Sequence, residues 1–209
     1  MRFTPLVSSL SDPALWQGFP ALELVWQGGD PGPWLRQGPP IHAIHLPEPL
    51  AEVTQAGPAL QALLTLGADF LVVPASLPAD RLASSRLLGA LEVLLEAIGR
   101  RGPRLVLRPG ADAQALAALL RDVKGEAVGF CWDGAVTDIV ALEDRLLCAV
   151  ATAEDNLEPL QVRGFRWNVA VPISDPERAR DLLRALTERH PDPLFPTLIP
   201  TLPPPPEAP

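Results

Sequence analysis

Ala127-Val128-Gly129-Phe130-Cys131-Trp132-Asp133-Gly134 decides the architecture. It reads as a buried strand that ends in a carboxylate and a turn glycine. Side chains alternate across a strand. Gly129, Cys131 and Asp133 therefore share one face, and Val128, Phe130 and Trp132 share the other. Small residues suit a crowded interior, and bulky ones suit a surface covered by helices. Asp133 is expected to point inward at the C-terminal end of this strand.

Seven further short apolar runs resemble this one: Phe3–Ser8, Ala21–Trp26, Ile41–Leu46, Phe70–Val73, Arg104–Leu107, Leu146–Ala151 and Phe165–Val171. Helical sequence separates most of them. Pro58 opens a helix to Leu66, with Gly67 as its C-cap. Leucines at 87, 88, 91, 94 and 95 give the helical spacing of a long helix over about Ala79–Gly99. Asp112 is placed to cap a helix to about Val123. A short helix is expected near Thr137–Leu142, and a short turn at Glu154-Asp155-Asn156. Asp175-Pro176-Glu177 starts a final amphipathic helix to about Arg189.

Repeated strand-helix units imply a parallel sheet. Eight of them imply a closed (β/α)8 TIM barrel, whose chemistry sits at the C-terminal strand ends. Such barrels typically need roughly 250 residues, and this chain has 209. The helices after the first, second, sixth and seventh strands must therefore be very short, and the barrel compact. The alternative is an open doubly wound sheet. That fold calls for a glycine-rich loop after the first strand, and Ser8-Ser9-Leu10-Ser11 has no glycine. Residues 1–190 form one expected domain. From Pro191 to 209 the chain is proline-dense, which favours polyproline II over a packed core.

The net charge of −8 and the absence of a basic patch argue against a nucleic-acid partner. Arg100-Arg101 with Arg104 is the only basic cluster. It falls at a helix end, where cations suit the dipole. No apolar run reaches the roughly 18 residues of a membrane span, and the N-terminus lacks a signal-peptide pattern. The expectation is a cytoplasmic protein that does not engage membranes. Cys131 and Cys148 fall inside strands without metal-type spacing, and are expected as buried thiols. The proline-rich tail is the candidate contact for a protein partner.

Several strand-end residues could carry chemistry. Arg108 follows the fifth strand and should neighbour Asp133, a geometry suited to a bidentate pair. That pair is either a ligand-binding device or a structural ion pair. Glu23 lies among apolar strand residues and needs a partner if buried. His42 and His45 are three apart and face opposite sides, so they cannot chelate one metal together. His45, nearer the C-terminal end, is the better candidate for the barrel mouth. Glu154 follows the seventh strand at the mouth, in a cluster that equally suits an N-cap. Asn168 and Arg166 accompany the eighth strand. His190 reads as a dipole partner at a helix end. The chain contains no nucleophile elbow, phosphate loop, His-Glu-x-x-His or Cys-x-x-Cys. No cofactor is expected.

The order of segments resembles the xylose isomerase-like barrels, the superfamily of sugar isomerases, epimerases and endonuclease IV-type repair enzymes. Leu22-Glu23-Leu24 is similar to its second strand with a glutamate, and His45-Leu46-Pro47 to its His-x-Pro. The stretch 66–73 is similar to its Gly-Ala-then-apolar fourth strand, and Phe130-Cys131-Trp132-Asp133 to its strand-six aspartate. The resemblance implies a divalent metal held by a strand-five glutamate, the strand-six aspartate or a nearby histidine, a strand-seven histidine and a strand-eight glutamate. Here the strand-five position is Arg108, and Val136 stands three after Asp133. Neither Cys148-Ala149-Val150-Ala151-Thr152 nor Asn168-Val169-Ala170-Val171-Pro172 supplies a ligand. The expectation is a degenerate member without the metal, binding a small sugar-like or anionic ligand. If it is an enzyme, it is an isomerase or epimerase using Asp133, His45 and Glu23, with Arg108, Glu154 and Asn168 as ligand contacts. The alternative is a non-catalytic structural or protein-interaction module.

Overall fold

A computed structural model describes residues 1–49, 56–99, 102–109, 113–121, 128–134, 142, 145–152, 154–162 and 164–191. Its strands are β1 (Arg2–Ser8), β2 (Leu22–Val25), β3 (Ile41–His45), β4 (Phe70–Pro74), β5 (Arg104–Arg108), β6 (Val128–Trp132), β7 (Leu146–Val150) and β8 (Asn168–Pro172). They close into one barrel in chain order. Every pairing is parallel, and β1 seals against β8 from Arg2 opposite Asn168 to Leu6 opposite Pro172. The open doubly wound alternative is excluded by that closure.

The alternation read from the β6 sequence holds in the packing. Cys131 joins Ala43, Phe70, Val72, Val106, Leu147 and Cys148 in an inner cluster. Val128, Phe130 and Trp132 face the outer core instead, together with helix residues such as Leu63, Leu94, Leu116 and Leu160. Gly129 makes the interior possible. A Cβ there would collide with the Leu147 side chain.

Helices α1 (Gly32–Gln37), α2 (Gly57–Leu66), α3 (Arg81–Ile98), α4 (Ala113–Leu119), α5 (Glu158–Val162) and α6 (Pro176–Arg189) lie between or after the strands. After β1 there is only a 3-10 turn over Pro13–Trp16, capped by Asp12. The helices after β2 and β7 are short as expected, with 6 and 5 residues. α1 follows the Gly/Pro-rich stretch 27–31. Its Trp34 is buried and donates to the Ser9 carbonyl at 2.9 Å, which pins the segment to the end of β1. Asp80 caps α3 through the Ala83 amide, and Asp175 caps α6 through Glu177 and Arg178. Gly67 ends α2 in the left-handed region at φ 65°.

β8 starts later than its apolar sequence suggests. Phe165 is buried, but Gly164 at φ 66° ends the α5 turn and the strand begins only at Asn168. No helix among the described residues is long and apolar enough to cross a membrane. The expected Asp112 cap, most of the 137–142 helix and the chain beyond Pro191 lie outside the described residues.

Candidate functional site at the barrel mouth

Two groups of polar side chains meet inside the C-terminal half of the barrel. The first is sealed. Glu23 is fully buried and His45 is 1% exposed. A register shift between Leu22 and Glu23 sets Glu23 opposite Ala43, on the inner face of the sheet. His45 Nε2 lies 2.6 Å from Glu23 Oε2, a length typical of charge-assisted hydrogen bonds. Thr4 Oγ1 donates to the other carboxylate oxygen, Oε1, at 3.2 Å. The other ring nitrogen of His45, Nδ1, has no hydrogen-bond partner.

The Thr4 bond makes a direct prediction. Thr4→Val keeps the shape and leaves Oε1 short of a donor. Loss of a donor to a buried acceptor costs about 1–3 kcal/mol, so urea unfolding should show a lower midpoint with an unchanged slope. Thr4 was not among the candidates from sequence. The available signal was a hydroxyl on the same strand face as Leu6, in a strand flanked by apolar residues.

The second group is reachable from solvent. Arg108 ends β5 and Asp133 follows β6, with side chains 28% and 20% exposed. Arg108 Nε stands 4.0 Å from Asp133 Oδ2. The pair is therefore adjacent, as alternation requires, but it is a single long contact and not the expected bidentate fork. Among the described residues, this is the guanidinium's one polar side-chain contact.

Cys148 ties the two groups together. Burial pushes its thiol pKa well up, the neighbouring Cys131 adds to this, and the Glu23 charge adds further, while Arg108 pulls it down. Glu23 on β2 and Arg108 on β5 therefore both act on Cys148. Cys131 and Cys148 are facing residues of β6 and β7, both buried and both free thiols.

The other candidates lie elsewhere. Glu154 is exposed in the turn after β7, on the mouth side. Its neighbours do structural work: Asp155 accepts from the Thr152 amide at 2.6 Å, and Asn156 accepts from the Glu158 amide at 3.0 Å. Asn168 opens β8 opposite Arg2, at the end of the barrel away from the mouth. It does not join the site. Arg166 is exposed and precedes β8 at that same end. His42 turns away from His45 and contacts Asp69 at 3.0 Å, edge-on to Phe70. His190 caps α6 and meets Gln161 Nε2 at 2.7 Å. Burial, Arg189 and the chain N-terminus all lower its pKa, which disfavours its charged form.

Among solved structures, the chain is similar to a xylose isomerase domain protein from Planctomyces limnophilus. The TM-score is 0.64 at 11% identity, over 90% of this chain and 94% of that one. The fold is that of a xylose isomerase-like TIM barrel. A second similar structure is an uncharacterised protein from Parabacteroides distasonis, at TM-score 0.50 and 12% identity over 76% of this chain and 74% of that one. No family model and no curated protein matches the chain.

The divalent metal associated with xylose isomerase-like barrels does not fit this donor set. Among the described residues, no three His, Cys, Asp or Glu side chains gather as a metal site. Such sites need about three or more protein ligands at roughly 2.0–2.6 Å. Among the described residues, Asp133 is the single candidate at the expected position, and Arg108 stands beside it. At about 4 Å and an effective dielectric near 20, a guanidinium and a divalent ion repel by roughly 8 kcal/mol. A single carboxylate also leaves the other coordination positions without protein ligands. The purified, extensively dialysed protein is expected to carry far less than one equivalent of Zn, Mn or Mg. Elemental analysis giving a full equivalent per chain would overturn this assignment of donors.

Proposed function

We propose that this protein binds a small anionic or sugar-like molecule in the barrel mouth without a metal. Arg108 beside Asp133 carries the reading. An arginine stands at the sequence position where the resembled family has a metal ligand. Arg108 would take a carboxylate or an oxyanion, and its planar fork suits that geometry. Asp133 would orient hydroxyls, and exposed Glu154 is available at the rim. Glu23 and His45 form the floor beneath them.

The reaction class that fits is isomerisation or epimerisation by proton transfer next to a carbonyl. Asp133 would remove the proton, Arg108 would stabilise the resulting enediolate oxygen, and the proton would return to the neighbouring carbon or the opposite face. The sealed Glu23–His45 pair would hold the floor and its charge in place. A panel of aldonic acids, aldoses and ketoses, screened by thermal shift, tests binding. Solvent deuterium entering a carbon-bound position, read by NMR, tests catalysis. Stabilisation by no member of the panel would end the ligand reading.

A second reading is a non-catalytic interaction module. Leu15 and Leu35 favour it, being 59% exposed on two packed neighbours, the 3-10 turn and α1. In that reading the proline-rich stretch beyond Pro191 is the contact for a protein partner, and the cytoplasm is the proposed location. A specific small-molecule ligand with no stable protein partner would argue against it.

A further inference from the structure

At the N-terminal end of the strands, opposite the mouth, two large apolar side chains stand in the open. Trp167 is 53% exposed and Val162 is 76% exposed. They flank one tight turn, in which the Gly164 amide donates to the Gln161 carbonyl at 2.9 Å and the Phe165 amide to the Leu160 carbonyl at 3.0 Å. The Arg2 amide donates to the Trp167 carbonyl at 3.4 Å, which ties this turn to the start of β1. Arg2, Arg166 and Arg189 are exposed at the same end, and Glu188 is their acidic neighbour on α6. Tryptophan and arginine are the residues enriched where one protein surface is covered by another.

The end of α6 arrives at this place. The His190 and Phe3 rings are 6.1 Å apart between centres, and His190 Nδ1 lies 2.7 Å from the amide nitrogen of Gln161, the residue before Val162. Pro191 comes next, and residues 192–209 continue beyond the described residues. That stretch sets Leu194, Phe195, Leu198 and Ile199 among prolines, carries Asp192 and Glu207, and has no lysine or arginine. At about 3.1 Å per residue of polyproline II, Leu194 and Phe195 fall within roughly 12 Å of Pro191. Proline-rich segments dock on aromatic side chains, and acidic ones are drawn to arginines. Reach, apolar content and charge all favour the same occupant for this surface.

We propose that residues 192–209 dock back onto this end of their own barrel, with Leu194 and Phe195 against Trp167 and Val162 and the acidic residues facing the arginines. The proposal does not depend on the reading of the mouth, because Arg108 and Asp133 lie at the opposite end of the strands. It gives the proline-rich stretch an intramolecular role in place of a contact with another protein.

NMR on the full-length, isotope-labelled protein tests it. Nuclear Overhauser contacts are expected between the Trp167 indole and the side chains of Leu194 and Phe195, the indole resonance being identified by its loss in Trp167→Ser. A 1:1 mixture of labelled and unlabelled chains separates contacts within a chain from contacts between copies. The second readout is cleavage before Leu194 and Phe195 by thermolysin. Trp167→Ser is expected to speed it by about tenfold or more, the factor that burying one large apolar side chain supports when cleavage follows the undocked population. Should Trp167→Ser fold poorly, Val162→Asp serves in its place, at a side chain that is largely exposed. Random-coil shifts for residues 192–209 without contacts to Trp167 would overturn the proposal. So would contacts found only between copies, or cleavage at an unchanged rate in a folded variant.

Discussion

Replacing His45 with leucine is expected to destabilise the protein by about 3–5 kcal/mol, the loss seen when one partner of a buried ion pair is removed. His45 and Glu23 are 2.6 Å apart and essentially inaccessible. Whichever of them carries the proton, the substitution strands the Glu23 carboxyl in the barrel with only the Thr4 hydroxyl, at 3.2 Å, to satisfy it. For a chain of this size each kcal/mol shifts the melting temperature by about 2–4 °C, so a fall of roughly 6–20 °C is expected. The double replacement Glu23→Leu with His45→Leu removes both polar groups. It should recover most of the loss, because a buried pair is often no better than apolar residues of similar volume. A double-mutant cycle by chemical denaturation checks both statements. Additive losses in the cycle would mean the two side chains do not depend on one another.

The opposite pattern is expected at Arg108. Its contact with Asp133 is long and partly exposed, at 4.0 Å, and such pairs contribute about 0–1 kcal/mol. Arg108→Met should therefore leave folding nearly unchanged. Ligand binding should fall about ten- to 150-fold, the equivalent of a charged hydrogen bond worth about 1.5–3 kcal/mol. A substitution that leaves folding intact and removes binding separates a recognition residue from a structural one. Loss of stability comparable to that of His45→Leu would put Arg108 in the second category.

The barrel is legible in the sequence because all eight strands are short apolar runs, and because Gly129, Cys131 and Asp133 alternate with Val128, Phe130 and Trp132. The same alternation on β5 and β6 predicts that Arg108 and Asp133 are neighbours. Contacts that depend on register are not legible. The shift between Leu22 and Glu23 helps bring Glu23 to His45 Nε2, and no local pattern announces it. Asn168 is misplaced for a related reason. Phe165 continues the apolar run, so the strand seems to begin early and Asn168 seems central, whereas Gly164 delays it and leaves Asn168 at the first position.

The central claim is that a fixed arginine serves this mouth where the resembled family has a metal. Calorimetric titration tests it most directly, using the aldonic acid that stabilises the protein best, with wild type and Arg108→Met, each in EDTA and with added Mn²⁺. The account predicts saturable binding by wild type that EDTA and Mn²⁺ leave unchanged, and loss of that binding in Arg108→Met. Binding that requires Mn²⁺, or that survives in Arg108→Met, would contradict it.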